Sequence, residues 1–145
     1  MGSIFATRAF VIHVVVPLTP SLEWDAAKEF TRTVVTKLAG DAPNLYTASV
    51  AKQARRGRIF IDYLRNGRGA TAVAAYSTRA NAAATVSAPL TWHEVESGIR
   101  ADQFTLLNLP QRMRALGGDP RGDPWGDLGR VKQKIAAAAL RRLAK

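Results

Sequence analysis

Asp62 stands in Arg58-Ile59-Phe60-Ile61-Asp62-Tyr63-Leu64, an acid flanked by apolar residues. A carboxylate buried there without a partner would be costly. Either it pairs with a neighbouring arginine, or it is a metal ligand, because the divalent ions of phosphoryl chemistry take carboxylate oxygens. Such chemistry usually gathers two or three carboxylates around a metal pair, and Asp62 is one acid in a basic field. His13 lies in Val11-Ile12-His13-Val14-Val15-Val16 and is either a hydrogen-bonded core residue or a donor to a phosphate oxygen. His93, in the first turn of a short helix, reads as a surface residue. Arg55, Arg56 and Arg58 precede Asp62, and Arg65 and Arg68 follow it. A planar guanidinium fork suits phosphate better than a point charge does; the alternative is a solvated charged run. Asp119, Asp123 and Asp127 recur every four residues. That spacing matches neither a calcium loop nor paired carboxylates on a strand, so they read as turn formers. No Gly-Lys-Ser/Thr follows a strand, which excludes a Walker loop.

The elements that must position these groups follow from pattern. Residues 9–16 are β-branched and apolar enough for a buried strand, ended by Pro17 and Pro20. Ser21 is the expected N-cap of a helix over 21–39. Glu23, Asp25 and Glu29 lie near its positive end, apolar residues recur at helical spacing, and Gly40 follows as a stop. The segment 46–53 is ambiguous. Arg58 to Leu64 and Ala70 to Tyr76 read as strands joined through Asn66-Gly67, a strong hairpin signal. Alternation would put Phe60 and Asp62 on one face, and Ile59, Ile61 and Tyr63 on the other. Thr91-Trp92-His93-Glu94 is a capping box. A short strand is expected over 104–109, then a helix capped by Asn108, with Pro110 in its first turn and Gly117-Gly118 as its stop. A turn-rich loop over 118–129 precedes an alanine-rich helix over 131–143 with a basic end. The mixture implies an α+β domain whose mixed or antiparallel sheet carries a hairpin at 58–76, flanked by helices.

The chain has 145 residues, suited to one domain over 1–145. It has no cysteine, which excludes disulfides, thiolate catalysis and cysteine zinc sites. No apolar stretch reaches the ~20 residues of a membrane-spanning helix, and a cytoplasmic location is the default. The net charge of +10 comes from 21 Lys and Arg against 11 Asp and Glu, a surface that attracts polyanions. Between Lys52 and Arg79 the seven basic residues meet one acid, Asp62; from Arg130 to Lys145 there are six basic residues and no acid.

The run from Arg56 to Thr71, Arg-Gly-Arg-Ile-Phe-Ile-Asp-Tyr-Leu-Arg-Asn-Gly-Arg-Gly-Ala-Thr, resembles the polymerase domain of bacterial ligase D, within the archaeo-eukaryotic primase–polymerase superfamily. His13-Val14-Val15-Val16-Pro17-Leu18, Tyr46-Thr47-Ala48 with Ala51-Lys52, Tyr76-Ser77-Thr78-Arg79, Val86 to Leu90 and Asp123-Pro124-Trp125 follow in family-like order, so the resemblance spans about 10–127. Residues 130–145 form a basic helical tail beyond it. The resemblance implies nucleotidyl transfer to DNA ends in double-strand break repair by non-homologous end joining. It also implies a bacterial, nucleoid-associated setting, with Ku and a ligase module as partners. Three aspartates would hold Mn²⁺ or Mg²⁺; Asp62 matches the third and is the implied catalytic and metal residue. His13 and Arg79 match contacts to the nucleoside triphosphate, and Lys52 and Arg55 fall where nucleotide is held. Arg56, Arg58, Arg65 and Arg68 would face DNA.

The chain also departs from the pattern. It contains no Asp-x-Asp, Thr7 to Ile12 replaces a Ser/Gly-rich turn, and Ala75 stands before Tyr76 where proline is usual. It therefore resembles the C-terminal half of such a domain and is expected to be inactive alone, which leaves its standing as an enzyme open. The alternative is a non-catalytic nucleic-acid- or nucleotide-binding module that self-associates or pairs with a chain carrying the other half.

Overall fold

The computed structural model describes residues 3–7, 11–100, 102–116, 123–136 and 138–139, with residues 3–7 described in backbone only. In chain order the elements are β1 (Ser3–Thr7), β2 (Val11–Val15), α1 (Trp24–Asp41), β3 (Tyr46–Thr47), β4 (Ile59–Phe60), β5 (Ala88–Leu90), α2 (Trp92–Glu96) and α3 (Leu109–Ala115). Short 3₁₀ turns span Lys52–Arg55, Leu64–Asn66 and Leu128–Arg130. The mixed α+β class is as expected. The chain forms two compact units, Met1–Thr19 with Val73–Gln133, and Pro20–Ala72 with Lys134–Lys145.

The first unit is built on an antiparallel sheet of order β2-β1-β5. Central β1 sets Phe5 opposite His13 on one side and Ile4 opposite Leu90 on the other. Expected as a buried strand, β2 is instead an edge, and Val11, Ile12 and Val14 are exposed. A continuous apolar run fits a strand covered on both faces, and at this sheet edge that cover is missing among the described residues.

The core of this unit is the run Thr85–Leu90, buried throughout. Phe104 packs with Ala88 and Leu90, joined by Val95, Ile99 and Leu109. The expected capping box forms at α2: Thr91 Oγ1 accepts from the Glu94 amide at 3.2 Å, and Glu94 Oε2 accepts from the Thr91 amide at 2.8 Å. The expected strand over 104–109 reduces to one bridge, Thr85 to Thr105, because the next residues turn into α3. Asn108 occupies the N-cap position of α3, yet its side chain turns back instead, accepting from the Thr105 amide at 2.8 Å and donating to the Gln103 carbonyl at 2.7 Å. The expected stop at Gly117-Gly118 and the turns over 118–122 lie outside the described residues. Asp123 is a turn former, its Oδ1 accepting from the Trp125 amide at 2.9 Å.

The second unit sets β3 and β4 side by side and parallel, with Tyr46 opposite Ile59 and Thr47 opposite Phe60. α1 packs on β3 and on the turn Leu64–Asn66, and Val35 and Thr47 are its buried residues. Glu23, not Ser21, is the residue before the helix, no side chain caps it, and Gly40 lies inside the last turn.

The expected hairpin over 58–76 does not form. β4 spends its backbone groups on the preceding segment, the Ile59 and Ile61 amides donating to the Leu45 and Thr47 carbonyls at 2.8 and 3.0 Å. A type I′ turn needs positive φ at both central residues, and Gly67 has φ −100°. Asp62 Oδ1 accepts from the Leu64 amide at 2.8 Å, and Asn66 Nδ2 donates to the Tyr63 carbonyl at 3.0 Å, so these turn-forming side chains close a 3₁₀ turn instead. Residues 70–76 therefore have no strand partner in register. The expected helix over 131–143 does not begin at 131: residues 131–136 have no helical structure, 138–139 are helical, and 137 and 140–143 lie outside the described residues. Gln133 explains it, its carbonyl accepting from the Thr19 amide at 2.8 Å and its Nε2 donating to the Pro17 carbonyl at 2.8 Å.

Candidate functional site

In the second unit, parallel pairing decides the neighbours of Asp62. Both strands end on the same edge, so Asp62, two residues past β4, shares that edge with the segment Ala48–Lys52 that leaves β3. The carboxyl ends of parallel strands are where open α/β sheets hold ligands. An antiparallel hairpin would have put residues 70–76 there instead. Asp62 is exposed; Arg65 Nε lies 3.5 Å from its Oδ2, so the arginine pairing expected as one alternative is realised.

The crossover from β3 to β4 carries the basic residues. Lys52 opens the 3₁₀ turn and is exposed. Arg55 closes the turn, donating from Nη2 to the Val50 carbonyl at 2.7 Å, with its guanidinium carbon 4.0 Å above the Phe60 ring. Its Nε is buried without a hydrogen-bond partner among the described residues. A stacked guanidinium keeps its charge while losing hydration. Arg58 reaches the Pro43 carbonyl at 3.4 Å, and Arg65 the Thr71 carbonyl at 2.9 Å. Arg56 and Arg68 are exposed.

His13 and Arg79 belong to the first unit. His13 is half-buried on β2. Arg79 is also half-buried, and its backbone is fixed by a short ladder onto the buried run: its amide donates to the Thr85 carbonyl at 2.7 Å, and Ser87 donates to Ser77 at 3.0 Å. Tyr76 begins that ladder in the left-handed region, φ +62°, its amide 2.7 Å from the Ser87 carbonyl. A non-glycine residue there is strained and persists only where its surroundings hold it. Burial, and then the facing Asp123 carboxylate, push the Tyr76 hydroxyl well above its ordinary value. Nothing in the residue type of Tyr76 announces this conformation; the fixed neighbours at 85–87 create it.

Arg112 is another arginine of the first unit, and sequence reasoning passed over it. It grips Glu94 with both nitrogens, donates to the Pro89 carbonyl at 2.8 Å and lies 4.5 Å over the Phe104 ring. Burial alone would raise the Glu94 carboxyl, but the Arg112 hydrogen bonds and the Thr91 cap outweigh it and hold it below its usual value.

A family model described as LigD, primase-polymerase domain, matches residues 11–125. The chain belongs to this family. It is 42% identical over 134 residues to the multifunctional non-homologous end joining protein LigD of Pseudomonas aeruginosa, covering 92% of this chain and 16% of that protein. It is 32% identical over 130 residues to the bifunctional LigD of Bacillus subtilis, covering 89% of this chain and 20% of that one. The chain thus spans a fifth or less of the length of these curated relatives. Among solved structures it resembles the polymerase domain of Mycobacterium tuberculosis ligase D in complex with DNA, with TM-score 0.78 and 26% identity over 88% of this chain and 42% of that one.

LigD polymerase domains are metal-dependent nucleotidyltransferases. The residues here do not fit a resident metal by themselves. Among the described residues no three His, Cys, Asp or Glu side chains gather, and one oxygen of Asp62 already accepts a backbone amide. Also among the described residues, no helix is long and apolar enough to cross a membrane.

Proposed function

We propose that this chain carries the phosphate-contacting part of a LigD-type end-joining polymerase, and that alone it binds nucleotide and DNA without transferring nucleotides. The likeness to a polymerase domain in complex with DNA carries this reading. In it Arg79 and His13 contact the triphosphate, with Lys52 and Arg55 on nucleotide or DNA phosphates. Arginines near a transferring phosphoryl group stabilise the charge that develops on it. Asp62 supplies one carboxylate to a Mn²⁺ or Mg²⁺ site. One is too few for a metal pair, so we assign no catalytic step to the chain by itself. Arg56, Arg58, Arg65 and Arg68 give a DNA-facing basic surface.

Nucleoside triphosphate binding, measured by calorimetry with and without Mn²⁺, tests the reading. Arg79→Ala is expected to weaken binding by about tenfold, the loss of one charge-assisted contact. Asp62→Ala is expected to remove the Mn²⁺-dependent part. Mn²⁺-dependent binding unchanged in Asp62→Ala would take Asp62 out of the site.

One observation favours assembly as a second reading. The β2 edge exposes Val11, Ile12 and Val14, with Val16 just beyond, and such edges pair readily. On this reading the chain self-associates or pairs with a chain bearing further carboxylates, and sedimentation across a concentration series would register the mass increase.

A further inference from the structure

The segment from Arg130 onward lies beyond the family-matched residues 11–125 and is rich in basic residues. Its alanines favour helix, yet residues 131–136 are not helical. Two hydrogen bonds, one from the Thr19 amide to the Gln133 carbonyl and one from Gln133 Nε2 to the Pro17 carbonyl, dock it beside the chain that leaves β2. Burial alternates along it: Val131, Gln133 and Ile135 are half-buried, and Lys132 and Lys134 are exposed. That is the period of extended chain, in which alternate side chains lie about 6.6 Å apart on one face. Neither lysine has an ion pair or a hydrogen bond among the described residues. Pro17, the docking point, is four residues past His13, or about 13 Å along extended chain.

We propose that this docked segment is a DNA-backbone contact strip, in which Lys132 and Lys134 engage successive phosphates of one strand. Lysine is suited to this as a hydrated point charge that needs no fixed geometry. Docking through Gln133 holds the two ammonium groups in place and reduces the entropy lost when they engage phosphate. The inference rests on the proposed function in that it takes the chain to bind DNA.

The test is titration of the full chain with an overhanging DNA duplex across a salt series. The double variant K132Q/K134Q, altered only at exposed positions, is expected to lose about 25- to 60-fold in affinity at 0.1 M salt, with a salt slope shallower by about 1.4–1.8. Its triphosphate binding is expected to stay as in the parent. Gln133→Ala keeps both charges and is expected to lose only a few-fold, with the slope unchanged. Affinity and slope unchanged in K132Q/K134Q, while the parent binds DNA, would overturn this inference and leave the proposed function standing. Absence of DNA binding by the parent would overturn both. Loss of binding to polyglutamate with DNA affinity intact would overturn the assignment to DNA.

Discussion

Two arginines in this protein stack on a phenylalanine, one in each unit, and they differ in what neutralises them. Arg112 lies over Phe104 and is gripped by Glu94, with side chains 12% and 25% exposed. Arg55 lies over Phe60 at similar height, yet it bonds one carbonyl and no carboxylate among the described residues. The first is a closed pair that holds α2 and α3 to the strand β5. The second is a partly dehydrated cation without a counterion among the described residues, the charge that the proposed function assigns to a phosphate. Stacking is therefore common to both arginines, and what distinguishes them is the carboxylate on Arg112.

The largest effect should come from opening the closed pair. Glu94→Ala leaves Arg112 unpaired and mostly buried, and urea unfolding should register a loss of about 2–3 kcal/mol. A change below 0.5 kcal/mol would make Arg112 as free as Arg55. Arg55→Gln should do the reverse: triphosphate or DNA affinity should fall about tenfold, while stability falls by only about 1 kcal/mol, for the lost stacking and one hydrogen bond. A stability loss matching that of Glu94→Ala, with binding intact, would erase the contrast.

The cap of α2 gives a smaller effect. Thr91→Ala removes the hydroxyl of the capping box and should cost about 1 kcal/mol, read from the urea midpoint. Acidity sharpens the same contrast. Glu94 is held below its usual value in the folded chain, so its contribution is full above the unfolded carboxylate value and disappears as pH falls through the folded one. Stability of the parent should thus decline through the acid range, and Glu94→Gln should flatten that decline. At the far end, Asp102→Asn breaks the exposed pair with Arg100 and should leave the midpoint unmoved.

What could be read from sequence was what local chemistry settles. The α2 capping box is four residues that satisfy one another, and α1 follows from apolar spacing. Of the two alternatives left open for Asp62, the arginine pairing is present because Arg65 is three residues away, and the metal role is untouched by it. Where distant backbone decides, pattern misled. Asn66-Gly67 carries a hairpin signal, but β4 had already committed its amides to residues 45–47, so the turn closed as 3₁₀. Alanine content indicates helix over 131–143, yet Gln133 draws its segment out by bonding residues more than a hundred positions earlier. β1 lay outside the expectation altogether, although its pairing makes β2 an edge and sets the register of His13. The candidate residues were legible as types in family-like order. Their neighbours were not, since parallel pairing of β3 and β4, and the left-handed Tyr76 before Arg79, are set by tertiary contacts.

The most direct measurement of the central claim is primer extension by the full chain in Mn²⁺, run beside binding of the same DNA. The account predicts salt-dependent binding and no added nucleotides, because one carboxylate does not hold a metal pair. Extension that disappears in Asp62→Ala would contradict it, since the metal site would then be complete with acids this account leaves out.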